Sequence, residues 1–215
     1  MPKPLPTSVR THFTALRMLL VMTVILGLAY PLLVTGISQV AFSDKANGSI
    51  VSSQGKEIGS SLLGQNYNLP KTAPSVSTTG ADPDEAPVPD PRWFQPRPSA
   101  YAYDPKSSGA SNLGPDSEDL LKAVEERRAA VAAFDGVDPA TVPADALTAS
   151  GSSLDPHISV AYAQEQVARV AKARNLPADK LNALVAKYTE GRSLGFLGAE
   201  GVNVVLLNRA VSEQN

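Results

Sequence analysis

Apolar residues are concentrated first near the N-terminus. From Met18 to Ile37 the sequence MLLVMTVILGLAYPLLVTGI carries no charge, and at ~1.5 Å per residue a helix of this length spans the ~30 Å hydrocarbon layer of a bilayer. Gly27 and Pro31 would weaken a helix in water but are tolerated in lipid, and Pro31 predicts a mild kink. Lys3, Arg10 and Arg17 precede the run with no acid among them, and the first acid after it is Asp44. The positive-inside rule therefore predicts a basic cytoplasmic tail over 1–17, a transmembrane helix over 18–39 and an extracytoplasmic domain over 40–215. A cleaved signal peptide competes, because small residues lie between Ser38 and Ala41; the apolar stretch, however, exceeds the ~7–15 residues of a signal h-region and lacks a clean A-x-A site.

Beyond the anchor the pattern shortens. Ile50-Val51-Ser52-Ser53 and Ile58 to Leu63 flank Gln54-Gly55-Lys56-Glu57 and predict a hairpin. Over 66–91 the composition turns to Pro, Ser, Thr and acid with few apolar groups, which predicts a long surface loop. DLLKAVEERRAAVAAF, capped by Asp116 or Ser117, puts Leu120, Leu121, Val124, Ala130, Val131 and Phe134 on one apolar face and leaves Glu125, Glu126, Arg127 and Arg128 as a solvated side. Ser159 to Arg174 places Ala163, Val167, Val170 and Ala171 at helical spacing, with Arg169, Lys172 and Arg174 near the C-terminal end, where they complement the macrodipole. A further helix starts near Pro177, an N1-type proline, carries Leu181, Leu184, Val185 and Tyr188 on one stripe, and stops at Gly191. VNVVLL, Val202 to Leu207, fits a buried strand or a short helix. Together these elements predict an α/β or α+β extracytoplasmic domain of two to four strands and three helices behind a single N-terminal transmembrane helix.

Composition narrows the chemistry. Lys+Arg 19 against Asp+Glu 21 leaves a net charge of -2 and no basic field for nucleic acid. The absence of cysteine excludes a disulfide scaffold, a thiolate metal site and a cysteine nucleophile. His12 and His157 are the only histidines and fall on opposite sides of the predicted anchor, so one subunit cannot build a multi-histidine metal site. Ser150-Gly151-Ser152-Ser153 followed by Asp155-Pro156-His157 supplies the parts of a nucleophilic triad, with Ser152 or Ser153 attacking in a membrane-anchored extracytoplasmic serine hydrolase. No G-x-S-x-G elbow accompanies them, and a turn with backbone caps is the plainer reading. GSSLLGQ, Gly59 to Gln65, is glycine-rich but lacks the Lys-Ser/Thr ending of a phosphate loop, and the predicted topology separates it from cytoplasmic ATP. WFQPRPSAYAY gathers Trp93, Phe94, Arg97, Tyr101 and Tyr103, groups that either anchor a protein interface or pack a loop onto its own domain. Asn112 and Asn203 either bridge turns or meet a partner, and a free-standing anchored binding module stays open as a third reading.

Six segments and the anchor recur in a telling order: GSSLLGQ (59–65), WFQPRPSA (93–100), SGASNLGP (108–115), VPADALTASGSSLDPHIS (142–159), QVARVAKARNL (166–176) and the GVNVVLLN ending. Nearly end to end, the chain resembles the C subunit of Kdp-type potassium-transporting ATPases, the KdpC family. Ala110 and Ser153 stand where the resemblance implies glycine, Val160 where it implies proline, and Ala199-Glu200-Gly201 replaces a Glu-Pro-Arg-like run; the stretch 66–91 is also longer than the family's loop. The resemblance implies an accessory subunit of an ATP-driven, high-affinity potassium uptake complex in the plasma (inner) membrane of a bacterium or archaeon. It would assist assembly, stability and potassium-stimulated ATP hydrolysis by a P-type ATPase subunit. The implied partners are that subunit and a potassium-channel-like subunit, with a small single-helix subunit as a further candidate. ATP, with Mg, and potassium are used by the complex, and no cofactor is expected on this chain. It has no D-K-T-G phosphorylation motif and too few membrane helices to enclose a conduction path, so no catalytic centre of its own is expected. Gln65, Trp93, Phe94, Arg97, Asn112, Asp155, His157 and Asn203 lie in the matching motifs and are the expected subunit-contact or potassium-entrance residues.

Overall fold

A computed structural model describes residues 6–70 and 88–214, so most of the Pro-rich loop and Lys3 lie outside the described residues. The chain forms two units, Met1–Ile50 and Val51–Asn215. In the first, one apolar helix covers Thr7–Ala41, long and apolar enough to cross a membrane. It starts within the stretch expected to be a tail, and consists of α1 (Thr7–Val24), a π-helical turn (Ile25–Ala29) and α2 (Tyr30–Ala41). Pro31 has no N–H, and its ring presses on the carbonyl one turn back. Widening the preceding turn, so that the Tyr30 N–H bonds the Ile25 carbonyl, accommodates it. A short helix, α3 (Ser43–Ala46), follows.

The second unit begins with a hairpin, β1 (Ile50–Ser53) and β2 (Lys56–Ser60). Gln54 and Gly55 have φ of 50° and 78°, as both central residues of a type I′ turn must. The second strand therefore starts at Lys56 rather than Ile58 and ends before Leu63. Helix α4 (Glu118–Asp135) is capped by the Ser117 hydroxyl, which accepts from the Leu120 N–H at 3.3 Å, and ends at left-handed Gly136. Its inner face is Val124, Val131, Ala132 and Asp135, whereas Leu121 is 61% exposed and Ala130 is also outside. Arg127 and Arg128 are not a free solvated side, since they donate to the carbonyls of Leu147 (2.9 Å) and Pro139 (3.3 Å).

After α5 (Ala144–Leu147) and β3 (His157–Ile158) comes α6 (Val160–Arg174), capped by Ser159 and closed by left-handed Asn175. Pro177 is the cap of α7 (Ala178–Lys187), which stops ahead of Gly191. β4 (Thr189–Glu190), β5 (Gly201–Asn203) and α8 (Val204–Ser212) complete the unit. The VNVVLL segment is thus strand and helix in turn. Asn203 makes the change, its carboxamide accepting from the Leu206 N–H at 3.1 Å and donating to the Ser61 carbonyl at 2.8 Å. The small sheet is antiparallel in the order β3-β5-β4, and the core lies between it and the helices, around Val170, Leu181, Val202 and Leu207. The domain is α+β, with α4, α6, α7 and α8 as its longer helices rather than the three expected.

Residues 91–95 lead into this core, where Phe94 and Gln95 are buried with no strand beside them among the described residues. Side chains replace the missing ladder. The Phe94 N–H donates to Asn208 Oδ1 and the Phe94 carbonyl accepts from Asn208 Nδ2, both at 2.9 Å. Gln166 holds the next residue in the same way, accepting from the Gln95 N–H at 2.6 Å and donating to the Gln95 carbonyl at 3.1 Å. Arg169 donates to the carbonyls of Pro91 (2.8 Å) and Trp93 (2.9 Å), to Gln166 Oε1 and to Asp135. Truncating Asn208 strands a buried N–H and a buried carbonyl, each costing about 1–3 kcal/mol. In denaturant unfolding of the full-length chain, Asn208→Ala is expected to destabilise by about 2–4 kcal/mol, and Leu181→Ala, which opens a cavity, by about 2–5 kcal/mol.

Candidate functional site

Of the motif residues, three converge on the surface. Asp155 lies just ahead of β3, where its Oδ1 accepts from the His157 backbone N–H at 2.9 Å and faces His157 Nδ1 at 3.3 Å. Arg97, from the segment after the clamped residues, approaches Asp155 Oδ2 at 3.4 Å and the Thr148 carbonyl at 3.3 Å. On the other side, His157 Nε2 comes within 3.4 Å of Glu190 Oε2, close enough for ion pairing although not aligned as a hydrogen bond. The result is a row of alternating charge, Arg97, Asp155, His157 and Glu190, running across the small sheet.

Gly201 lies on β5 between β3 and β4, paired with Glu190, and a Cβ there would sit in ordinary van der Waals contact with the His157 side chain, 3.4 Å from its Cβ. The electrostatics follow from the contacts. Burial by itself would raise the Asp155 carboxyl, but hydrogen bonds from His157 and the nearby Arg97 charge outweigh it and hold the group below the usual carboxylate range. His157 is raised, first by its hydrogen bond with Asp155, against burial, and then by Glu190.

The other expected residues lie apart from this row. Phe94 is fully buried in the core and Asn203 caps α8. Gln65 donates to the Ile58 carbonyl at 2.7 Å, folding the GSSLLGQ segment against β2. Trp93 is half-buried, with the Arg174 guanidinium 3.9 Å over its ring and Tyr67 beside it. Asn112 is exposed at a left-handed position, φ 54°, where asparagine is readily accommodated.

The serines do not form a triad. Ser153 is fully buried, its hydroxyl donating to the Gly109 carbonyl at 2.6 Å and accepting from the Ala100 N–H at 3.1 Å. The Ser152 hydroxyl accepts from the Leu154 N–H at 3.1 Å. Ser153 thereby ties Gly109 and Ala100 to the turn, the Ser152 carbonyl accepts from the Ser108 hydroxyl at 3.2 Å and the Gly109 N–H at 3.1 Å, and the histidine is engaged by carboxylates instead. Ser153 has φ 61°, which accounts for the glycine implied at that position, and Val160 is the first residue of α6, where proline is well suited.

Sequence reasoning missed Glu190, because β4 is only two residues long and its partner is remote in the chain. It also missed the amide clamps of Gln166 and Asn208, which look like ordinary helix polar residues until their faces are known. Glu165 was missed as well; burial, then Asp135 and Asp145, push its carboxyl up to about 7.

Residues 12–213 match the family described as KdpC, K+-transporting ATPase, c chain. A potassium-transporting ATPase KdpC subunit from Kineococcus radiotolerans is 50% identical over 209 residues, covering 96% of this chain and 95% of that protein. One from Streptomyces coelicolor is 45% identical over 221 residues, covering 96% and 94%, and one from Methylococcus capsulatus is 46% identical over 204 residues, covering 93% and 96%.

The charge row has a pH signature. Because His157 is raised in the folded state, its contribution to stability is complete below its unfolded value of 6.5 and is lost as pH rises through the folded value. Asp155 has the opposite sign, contributing above 3.8 and losing its contribution as pH falls through the lowered folded value. An NMR titration of His157 is expected to give a midpoint above 6.5 that moves down in Asp155→Asn; a midpoint that ignores the substitution would contradict the pairing.

Proposed function

The chain belongs to the KdpC family, the c chain of K+-transporting ATPases, and is an accessory subunit of that complex; we propose that its folded unit works on the extracytoplasmic side, over the entrance of a potassium-carrying partner. The observation that carries this reading is the apolar helix Thr7–Ala41, the one helix of membrane-spanning length among the described residues, with Arg10 and Arg17 ahead of its most apolar stretch and no acid before Asp44. On this reading 18–39 lies in the bilayer, 1–17 faces the cytoplasm and 40–215 lies outside. One helix encloses no pore, and ATP hydrolysis through an aspartyl phosphate needs a motif that this chain lacks. Ion conduction therefore falls to a channel-like subunit and hydrolysis to a P-type ATPase subunit, with ATP, Mg and potassium as their substrates. A small single-helix subunit is a further candidate neighbour of the anchor.

In that position Asp155 would offset the Arg97 and His157 charges, which would otherwise repel a cation at the entrance. The serine hydrolase reading is not favoured, since Ser153 is buried and committed to backbone partners. Two measurements test the proposal. A complex purified without this chain is expected to lose potassium-stimulated ATP hydrolysis, and unchanged stimulation would make the subunit a bystander. Asp155→Asn in the assembled complex is expected to weaken apparent potassium affinity by about 2- to 10-fold; an unchanged affinity would remove the electrostatic role.

A further inference from the structure

Every residue from Gly191 to Glu200 is exposed. These residues form the loop between β4 and β5, pinched by a bridge between Ser193 and Leu197, whose N–H donates to the Ser193 carbonyl at 2.9 Å. At the tip Leu194 is 83%, Phe196 69% and Leu197 51% exposed. Leu194 has φ 54°, a left-handed conformation that is costly for a bulky side chain. Glycine or asparagine would make the same turn without that cost. Three large apolar side chains held out on one narrow loop, in a watery compartment, mark a contact surface rather than a fold requirement.

Charge and conformation discriminate between a bilayer and a protein as the occupant. Glu190 and Glu200 bracket the loop, and Arg192 is the one cation between them. Glu190 also faces His157, so the base carries no cationic excess, unlike the basic segments that hold anionic lipid. A turn fixed by a strained residue is preorganised, which favours binding to a shaped cleft more than entry into fluid lipid.

We propose that the 191–200 loop is a docking finger whose Leu194, Phe196 and Leu197 enter an apolar cleft on the extracytoplasmic face of a membrane-embedded partner subunit of the ATPase. This rests on the subunit topology above. The chain contains no cysteine, so Phe196→Cys in the full-length protein provides a unique attachment point for a benzophenone maleimide. In a complex purified through a tag on a partner subunit, irradiation is expected to cross-link position 196 to a partner identified by mass spectrometry. The same probe at Leu121→Cys, exposed on α4, is expected to give no such product. The double variant Leu194→Ser, Phe196→Ser is expected to lower co-purification about tenfold or more while the thermal melt of the purified full-length chain stays unchanged. Cross-linking of position 196 to lipid alone, or to nothing, overturns the finger, as does undiminished co-purification of the double variant. Failure of the wild-type chain to co-purify with any membrane subunit is a separate result, which sinks the subunit reading and the finger with it.

Discussion

The folded unit is organised around a short backbone segment, Phe94-Gln95, that is buried without a sheet to pair it. Residues 91–95 carry Phe94 into the core, and a buried peptide group without partners is costly. The solution is three long polar side chains from two helices. Gln166 and Arg169 on α6 and Asn208 on α8 present amide and guanidinium groups to the segment's backbone N–H and carbonyl groups. Each is itself buried, at 0%, 8% and 2% exposure, so none is held by water instead. The Arg169 charge is matched by Asp135 on α4, whose carboxyl burial pushes up while the guanidinium pulls it back. One network therefore ties α4, α6, α8 and the threaded segment into a single cooperative piece.

That piece positions the surface charge row. Arg97 leaves the clamp just past Gln95, and its own backbone carbonyl accepts from the Tyr103 hydroxyl at 2.8 Å. Asp155 and His157 are placed by the serine turn and by β3, whose pairing with β5 also sets the start of α8. Side chains already fixed in this way lose less entropy on any binding event. The same sheet carries the exposed loop between β4 and β5, so the charge row and the apolar tip are built on adjoining strands.

The local rules that held were those with short-range causes. The hairpin around Gln54-Gly55, the Ser117 cap, and the apolar spacing of Val167, Val170, Leu181 and Val185 are set by neighbours within a few residues. Where the local rules missed, a distant partner had intervened. Arg127 and Arg128 looked like a solvated face until carbonyls of the following segment came within reach. The helix ahead of Pro31 widened rather than simply kinking, because a π turn removes the clash while keeping backbone groups bonded.

The sequence by itself determined the anchor, the apolar faces of α4, α6 and α7 in large part, and the family, because apolar length, period and motif order are properties of contiguous residues. It also brought Asp155 and His157 together, two positions apart. Only the tertiary structure decided that Trp93 and Phe94 serve packing while Arg97 joins the charge row, that Ser153 is a buried tie rather than a nucleophile, and that Glu190 completes the row. Those roles depend on which residues meet across long separations in the chain. No local periodicity encodes that meeting; it follows from how the helices close over the threaded segment and how β3 and β4 come to flank β5.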